Sequence, residues 1–476
     1  MKLSSFLLRV CICLLVAGCL VPARSAEALP GGPTPQLVKD INTTVTVGSN
    51  PKEFTRAGEY VFFHADDGVI PANVWRTDGT SEGTIPLNFS PTILTVDEFE
   101  PYSNQFYPAG DKVFFTAYDA VHGRELWVSD GTPGGTKMVK DVAPGSINSF
   151  IQIPVALGGR LFFIANDGKA GYELWVSDGS ESGTHMVKEI ISSEEDAYTF
   201  FLSLTPLDDE MLVVIYDSNL RTGDLWRSDG TAEGTQFVTT VPHPQTFIQG
   251  DGLVFFTVLL PSGGLAQLYQ TDGTPEGTKA AADLGSIYSV QHIAAMSGDI
   301  YVFIRTDSGL EMWAYHADED LLKRLRTFYD ARYPNNYVVE SATAHGKLAL
   351  SMLEYDEDLG SEAVHLWVSD GTEEGTLRIM GGFDFLFELQ AAGKGFIFNG
   401  LSGAEGRQVW RSDGTQEGTT QLTHMPQAMC SQFDLLVKDG KILLPLDDTK
   451  VGGTMGCELW SLGMSWPQAY LPVVVR

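Results

Sequence analysis

One short phrase recurs along this 476-residue chain, and its recurrence restricts the possible folds more than any total does. The clearest copies are Glu125-Leu-Trp-Val-Ser-Asp-Gly-Thr-Pro-Gly-Gly-Thr136 and Glu173-Leu-Trp-Val-Ser-Asp-Gly-Ser-Glu-Ser-Gly-Thr184. With the aromatic as marker, copies fall at Trp75, Trp127, Trp175, Trp226, Tyr269, Trp313, Trp367, Trp410 and Trp460, spaced 43 to 54 residues apart. Units of about 48 residues bury their apolar faces by stacking on one another, so the length does not mean two or three ordinary domains.

One unit predicts four short strands. Ile151 to Leu157 is strand A, and Gly158-Gly159 turns the chain. Arg160 to Ala165 is strand B, the Asn166-Asp167-Gly168 loop follows, and Tyr172 to Ser177 is strand C. Asp178-Gly179 opens the next turn, and His185 to Ile190 is strand D. Leu174 and Trp175 are adjacent, so they point to opposite faces of strand C, yet both are apolar. A sheet held between two like sheets buries both faces, which is the arrangement of a propeller blade. The expectation is an all-β chain forming a single β-propeller of four-stranded blades over residues 34–463, with nine blades. Propellers typically have four to eight blades, so eight blades, with the Met312-Trp313 unit distorted or excluded, is the alternative. The ends complete each other: Gln36-Leu37-Val38-Lys39-Asp40-Ile41 reads as a strand D with no signature before it, and the chain after Trp460 has no strand D. Leu37 to Ile41 therefore completes the last blade and closes the ring, leaving no unpaired edge.

These residues resemble the bacterial repeat family named for its Glu-Leu-Trp-x-x-Asp-Gly-Thr signature, over nearly all of the chain after residue 34. Leu161-Phe162-Phe163-Ile164-Ala165 before the signature and Met138-Val139-Lys140-Asp141 after it fit as well. The resemblance implies a β-rich repeat protein of the envelope or the extracellular space. It implies no common activity.

Residues 1–25 read as an export signal, with Lys2 and Arg9 ahead of an apolar run from Val10 to Val21 that is too short to span a bilayer. Val16-Ala17-Gly18-Cys19 resembles a lipobox and makes Cys19 a lipidation candidate, while small residues near Ala23 and Ala28 offer ordinary cleavage sites. An exported chain, secreted or envelope-associated and attached to membrane only through a lipid on Cys19, is expected. Cys430 and Cys457 are the two cysteines outside the leader, and an even pair in an exported protein suggests a disulfide. Residues 464–476 fall outside the repeat and read as a cap, an ordered tail or a sorting tag.

A formal net charge of -30 disfavours nucleic acid as a partner. The chain lacks the nucleophile-elbow, zinc-protease and phosphate-loop motifs and any paired Cys-x-x-Cys. An acid recurs after strand B at Asp66, Asp119, Asp167, Asp217, Asp307, Asp356 and Asp447, which places these residues on one face as a candidate binding surface. Calcium is the ion such acids could hold, although it requires six to eight oxygens and one acid per blade falls short. His64-Ala65-Asp66 is a close pairing of a histidine with an acid, and turn or strand structure is its simpler role. Aromatics at the entry to strand A, Phe106, Phe150, Phe247 and Phe433, suit packing near the ring centre. A ligand site should break the symmetry, so Tyr269, the Trp313 unit and the acidic insert Glu354 to Glu362 stand out. The functional expectation is a monomeric, non-enzymatic scaffold that binds an extracellular polymer, glycan or protein through one propeller face. A carbohydrate-active enzyme using paired carboxylates and a structural envelope or matrix component stiffened by calcium are the alternatives.

Overall fold

Every regular element among the described residues of the computed structural model is a β-strand. The structure describes residues 33–464 except 44–47, 71–72, 88–104, 192–197, 261–263, 329–335, 404–405, 425–429, 431–433 and 448–454. The leader with Cys19, Phe433 and the tail from 465 onward lie outside the described residues.

The strands form nine separate four-stranded antiparallel sheets, each in the order A-B-C-D. Blades 1 to 8 run Lys52–Pro86, Tyr107–Lys140, Gln152–Lys188, Thr199–Pro242, Pro244–Ser286, Ser289–Thr327, Tyr337–Phe383 and Phe385–Gln421. Blade 9 takes strands A to C from Leu436–Lys438, Lys441–Asp447 and Cys457–Gly463, and its strand D is Gln36–Lys39. The amino-terminal strand pairs Gln36 with Ser461, Leu37 with Trp460 and Lys39 with Leu459, which closes the ring. The Trp313 unit is a full blade: its strands C and D, Gly309–His316 and Leu321–Thr327, pair across a different hairpin that dispenses with Asp-Gly-Thr.

The burial pattern explains why the repeat is apolar on both faces. In strand B of blade 3, Leu161 to Ala165 are all buried, on alternating sides. Leu126 packs with Leu161, Phe163 and Trp175 of the following blade. Its neighbour Trp127 packs with Phe62 and Val74 of the preceding one. Each signature thus fills two seams. Strand A of each blade touches strand A of its neighbours, so the nine A strands surround the axis. Gln390 in blade 8 donates to the carbonyl of Leu435 at the entry to blade 9 (2.8 Å). Many A-to-B turns are two-residue hairpins with positive φ at both positions, as at Asp251-Gly252 (47° and 73°), a geometry that calls for a glycine.

Cys430 and Cys457 form a disulfide with Cα atoms 5.8 Å apart, bridging 27 residues within blade 9. Closing a loop of that length stabilises the folded chain by about 3.5 kcal/mol on the chain-entropy model. Denaturant unfolding of a Cys430→Ser, Cys457→Ser double variant should show a loss of that size. An unchanged unfolding midpoint would show that the bridge contributes nothing to folding stability.

Candidate functional site

The signature residues divide the structural work between them. Glu125 is buried and accepts the backbone N–H groups of Val142 (3.1 Å) and Ala143 (3.2 Å) in the loop to the next blade. Glu173 does the same for Ile190 and Ile191. Glu458 accepts from Ile41 N (2.8 Å), Ser49 N (2.9 Å) and the Ser49 hydroxyl (2.7 Å), which ties the two ends of the chain together. Burial pushes each of these three carboxyls up to about 7, against the opposing pull of the hydrogen bonds they accept. The glutamate accompanies a long connection: the chain runs from Lys140 to Gln152, from Lys188 to Thr199 and from Lys39 to Lys52 after these blades. Blades 4, 5 and 7 pass almost directly into the next strand A and carry Asp224, Gln267 and His365 at that position.

The Asp-Gly-Thr turn is held from within. Asp130 Oδ1 accepts from the backbone N–H and the hydroxyl of Thr132 (2.9 and 2.7 Å), while Ser129 and Thr136 share a hydroxyl hydrogen bond of 2.7 Å. The second glycine of the motif is required because the carboxylate lies over it: a Cβ on Gly135 would sit 2.1 Å from Asp130 Oδ1. Hydroxyl hydrogen bonds from the residue two positions on hold Asp178, Asp229, Asp272 and Asp370 below the ordinary carboxylate range. The strand D cation, whose role sequence reasoning missed, reaches the next blade. Lys39, Lys140, Lys188 and Arg326 donate to the carbonyls of Thr84, Thr184, Thr235 and Thr376 at 2.8 to 2.9 Å.

The acids after strand B lie toward one face, and most are engaged by their own loops. Asp119 Oδ1 accepts from Val121 N and His122 N, Asp167 from Lys169 N and Ala170 N, Asp217 from Asn219 N and Leu220 N, and Asp356 from Asp358 N and Leu359 N. Asp66 accepts from Gly68 N, Asp307 receives the Tyr288 hydroxyl, and Asp447 ends strand B of blade 9. Among the described residues no three His, Cys, Asp or Glu side chains are grouped so that they could hold a metal ion.

The asymmetry is axial. At or beside the strand A bulge of each blade, or just before strand A in blades 2 and 9, stand Glu53, Gln105, Ile153, Ser203, Thr246, His292, Glu340, Glu388 and Asp434 for blades 1 to 9. Blades 7, 8, 9 and 1, which are consecutive around the ring, carry acids there, and the other five carry none. Glu340 accepts from Leu389 N of blade 8 (2.9 Å), and Asp434 accepts from Glu53 N of blade 1. Glu53 also meets His64 Nδ1 at 2.8 Å. Burial, followed by the charges of Asp434 and Glu340, pushes Glu388 up to about 7, and burial also raises Asp434. His292, at the neutral edge, is held below its usual value by burial. Three residues before two of the acids, where strand A opens onto the loop face, stand the exposed rings of Tyr337 and Phe385. The sequence does contain these acids at spacings of 46 to 48 residues from Glu340 to Glu388 to Asp434. Their adjacency becomes visible only once the blades stand side by side.

No family model and no curated protein matches the chain. Solved structures similar to it include a puromycin hydrolase (13% identity, TM-score 0.42, covering 84% of this chain and 58% of that one). A puromycin-hydrolysing peptidase from Mycobacterium tuberculosis matches at 12% identity and TM-score 0.42, over 75% of this chain and 61% of that one. The β-propeller domain of the Trilobed protease from Pyrococcus furiosus matches at 14% identity and TM-score 0.38, over 68% of this chain and 97% of that domain. The chain therefore spans less than two thirds of the length of the two hydrolases. The expectation of a non-enzymatic scaffold binding through one face is corrected: the acids that suggested that face are mostly occupied in the turns of their own loops. Nor do the comparisons support the carbohydrate-active or matrix alternatives. At this identity the likeness concerns architecture alone, and the chain is a nine-bladed β-propeller.

Proposed function

We propose that the protein works through its axial channel, which takes a small ligand carrying an organic cation, an ammonium or a guanidinium, against the acid arc of blades 7, 8, 9 and 1. The observation that carries this reading is the run of neighbouring acids Glu340, Glu388, Asp434 and Glu53 at the strand A bulge or entry of four consecutive blades, facing five blades without an acid there. Such an arc concentrates negative potential on one side of a channel with low-dielectric walls. Glu388 resists ionisation there because it is desolvated beside other carboxylates, and a bound cation relieves both penalties. The exposed rings of Tyr337 and Phe385 at the mouth add π faces that attract the same charge. Export through residues 1–25 and kinship with the Glu-Leu-Trp repeat proteins belong to the same proposal.

Isothermal titration with agmatine and spermidine tests it. Saturable binding is expected, tightening by about tenfold from pH 6 to pH 8 as Glu388 gives up its proton. The Glu340→Gln, Glu388→Gln double variant should lose at least about tenfold in affinity at pH 8. Absence of saturable heat with either probe, or equal affinity in the double variant, would overturn the reading.

A further inference from the structure

The seam between blades 6 and 7 contains a buried cluster of three titratable side chains. The seam between blades 5 and 6 has a simpler relative, in which buried Glu311 accepts the Trp313 indole N–H at 2.9 Å and is already paired with Arg324 at 3.3 Å. Glu354 is 4% exposed, Asp356 8% and His365 0%. By register all three lie on the side of blade 7 that carries Trp367, which packs against blade 6. Glu354 Oε2 accepts the indole N–H of Trp367 at 3.2 Å, while Oε1 is buried without a hydrogen bond. His365 takes the place of the signature glutamate, and its ring leaves no room for a side chain on Gly381, whose Cβ would fall 1.9 Å from Nδ1. The histidine has no hydrogen bond at either nitrogen; Nε2 lies 3.4 Å from Asp356 Oδ2, within ion-pair range only.

Two guanidinium groups border this cluster, and neither hydrogen-bonds to Glu354. Arg378 pairs with Asp356 at 3.6 Å. Arg326, from strand D of blade 6, lies over the Trp367 ring at 4.9 Å and donates to the carbonyl of Thr376 at 2.8 Å. That last bond is the same cross-blade latch that Lys39, Lys140 and Lys188 make elsewhere. Among the described residues, only here does the latch cation stand over the tryptophan whose indole edge holds a buried carboxyl.

We infer that the proton on Glu354 operates the blade 6–7 seam: with the proton on, Arg326 stays on the Thr376 carbonyl, and with it off, the ionised carboxylate draws Arg326 away and opens the latch. The empty Oε1 is the acceptor that makes the exchange possible, and a guanidinium can rotate between two acceptors while remaining stacked on the indole. The charged and titratable groups around Glu354 are Asp356 on its own strand, His365 on strand C, Arg378 on strand D and Arg326 across the seam. Burial raises Glu354 to about 7 against the opposing pull of Trp367 and the two arginines, so the exchange falls near neutrality. The same burial lowers His365 to about 4, so it remains neutral throughout that range. This device is independent of the cation-binding reading.

The test uses the full chain. Tryptophan emission of the wild type minus that of Trp367→Phe is titrated from pH 5.5 to 8.5, and hydrogen exchange of the segment after Thr376 is followed over the same range, corrected for intrinsic exchange. A Trp367-specific step near neutrality is expected, with exchange about tenfold faster above it, as for the loss of one charge-assisted latch. Glu354→Gln should abolish both changes, and Arg326→Gln should exchange quickly at every pH. Melting curves of both variants establish that they fold, and Arg326→Gln gives an independent readout if Glu354→Gln does not. A step that persists in Glu354→Gln, or corrected exchange that ignores pH, would sink the inference.

Discussion

Thermal unfolding followed from pH 8 down to pH 5 should show the protein becoming more stable as acid is added, by several degrees. Glu125, Glu173, Glu354, Glu388 and Glu458 all rise from the usual 4.5 to about 7 on folding. A raised carboxyl binds its proton more tightly in the folded chain than in the unfolded one. Its stabilising effect is therefore complete below 4.5 and disappears as pH climbs through 7. One unit of upward shift corresponds to about 1.4 kcal/mol, so one unit at each of Glu125, Glu173 and Glu458 already amounts to about 4 kcal/mol. The turn acids Asp178, Asp229, Asp272 and Asp370 act in the opposite sense: held below 3.8, they lend stability that is lost only as pH falls through their depressed values. The combined profile should peak between about pH 4 and 5. A flat melting temperature between pH 5 and 8 would show that the buried glutamates keep their ordinary affinity for protons. Glu125→Gln should reduce the slope without shifting the acid limb.

The second large effect is expected at the ring closure. Glu458→Ala removes the acceptor for Ile41 N, Ser49 N and the Ser49 hydroxyl in a buried site that water does not readily reach. The Ser49 hydroxyl keeps the Cys457 carbonyl at 3.3 Å, and leaving the two backbone donors unmet costs about 2 to 6 kcal/mol. Gln36–Lys39 is then held mainly by a short pairing with Cys457–Gly463, by the apolar contacts of Val38 and Ile41, and by Lys39 on Thr84. Denaturant unfolding should shift accordingly, and hydrogen exchange should rise first in the amino-terminal strand. Glu458→Gln keeps an acceptor oxygen and should recover much of the loss. Equal protection of Gln36–Lys39 in the alanine variant and the wild type would mean that the carboxylate does not hold the closure.

The repeat made much of the architecture readable because its markers are local. The aromatics from Trp75 to Trp460 count the blades, and the orphan strand at Leu37 identifies the closure, since a strand D without a signature has only one incomplete blade to join. Even the Trp313 unit forms a blade, because strand pairing depends on the apolar strands and tolerates a different hairpin. The function of the signature glutamate was hidden for the opposite reason. Its partners, Val142 and Ala143 for Glu125, are backbone N–H groups, which leave no trace in residue identity. The axial arc was hidden by register: bulges at Lys52/Thr55 and Phe387/Gln390 shift the count within strand A, so equal spacing in sequence does not mean equal height in the channel. The acids after strand B stood out in the sequence as a binding surface, yet the turn itself is reason enough for an aspartate there.

The offset of the signature from the blade has a consequence for how such a ring can grow. Tryptophan seals the seam behind it, while leucine and the strand D cation serve the seam ahead, so each copied segment brings its share of both interfaces. Duplicating one unit inserts a blade whose two new contacts are already complementary to any neighbour. Ring size is then limited by the angle at which blades meet around the axis rather than by the invention of new surfaces. On that view an asymmetric run such as Glu340 to Glu53 is the place where copies that once were interchangeable have ceased to be so.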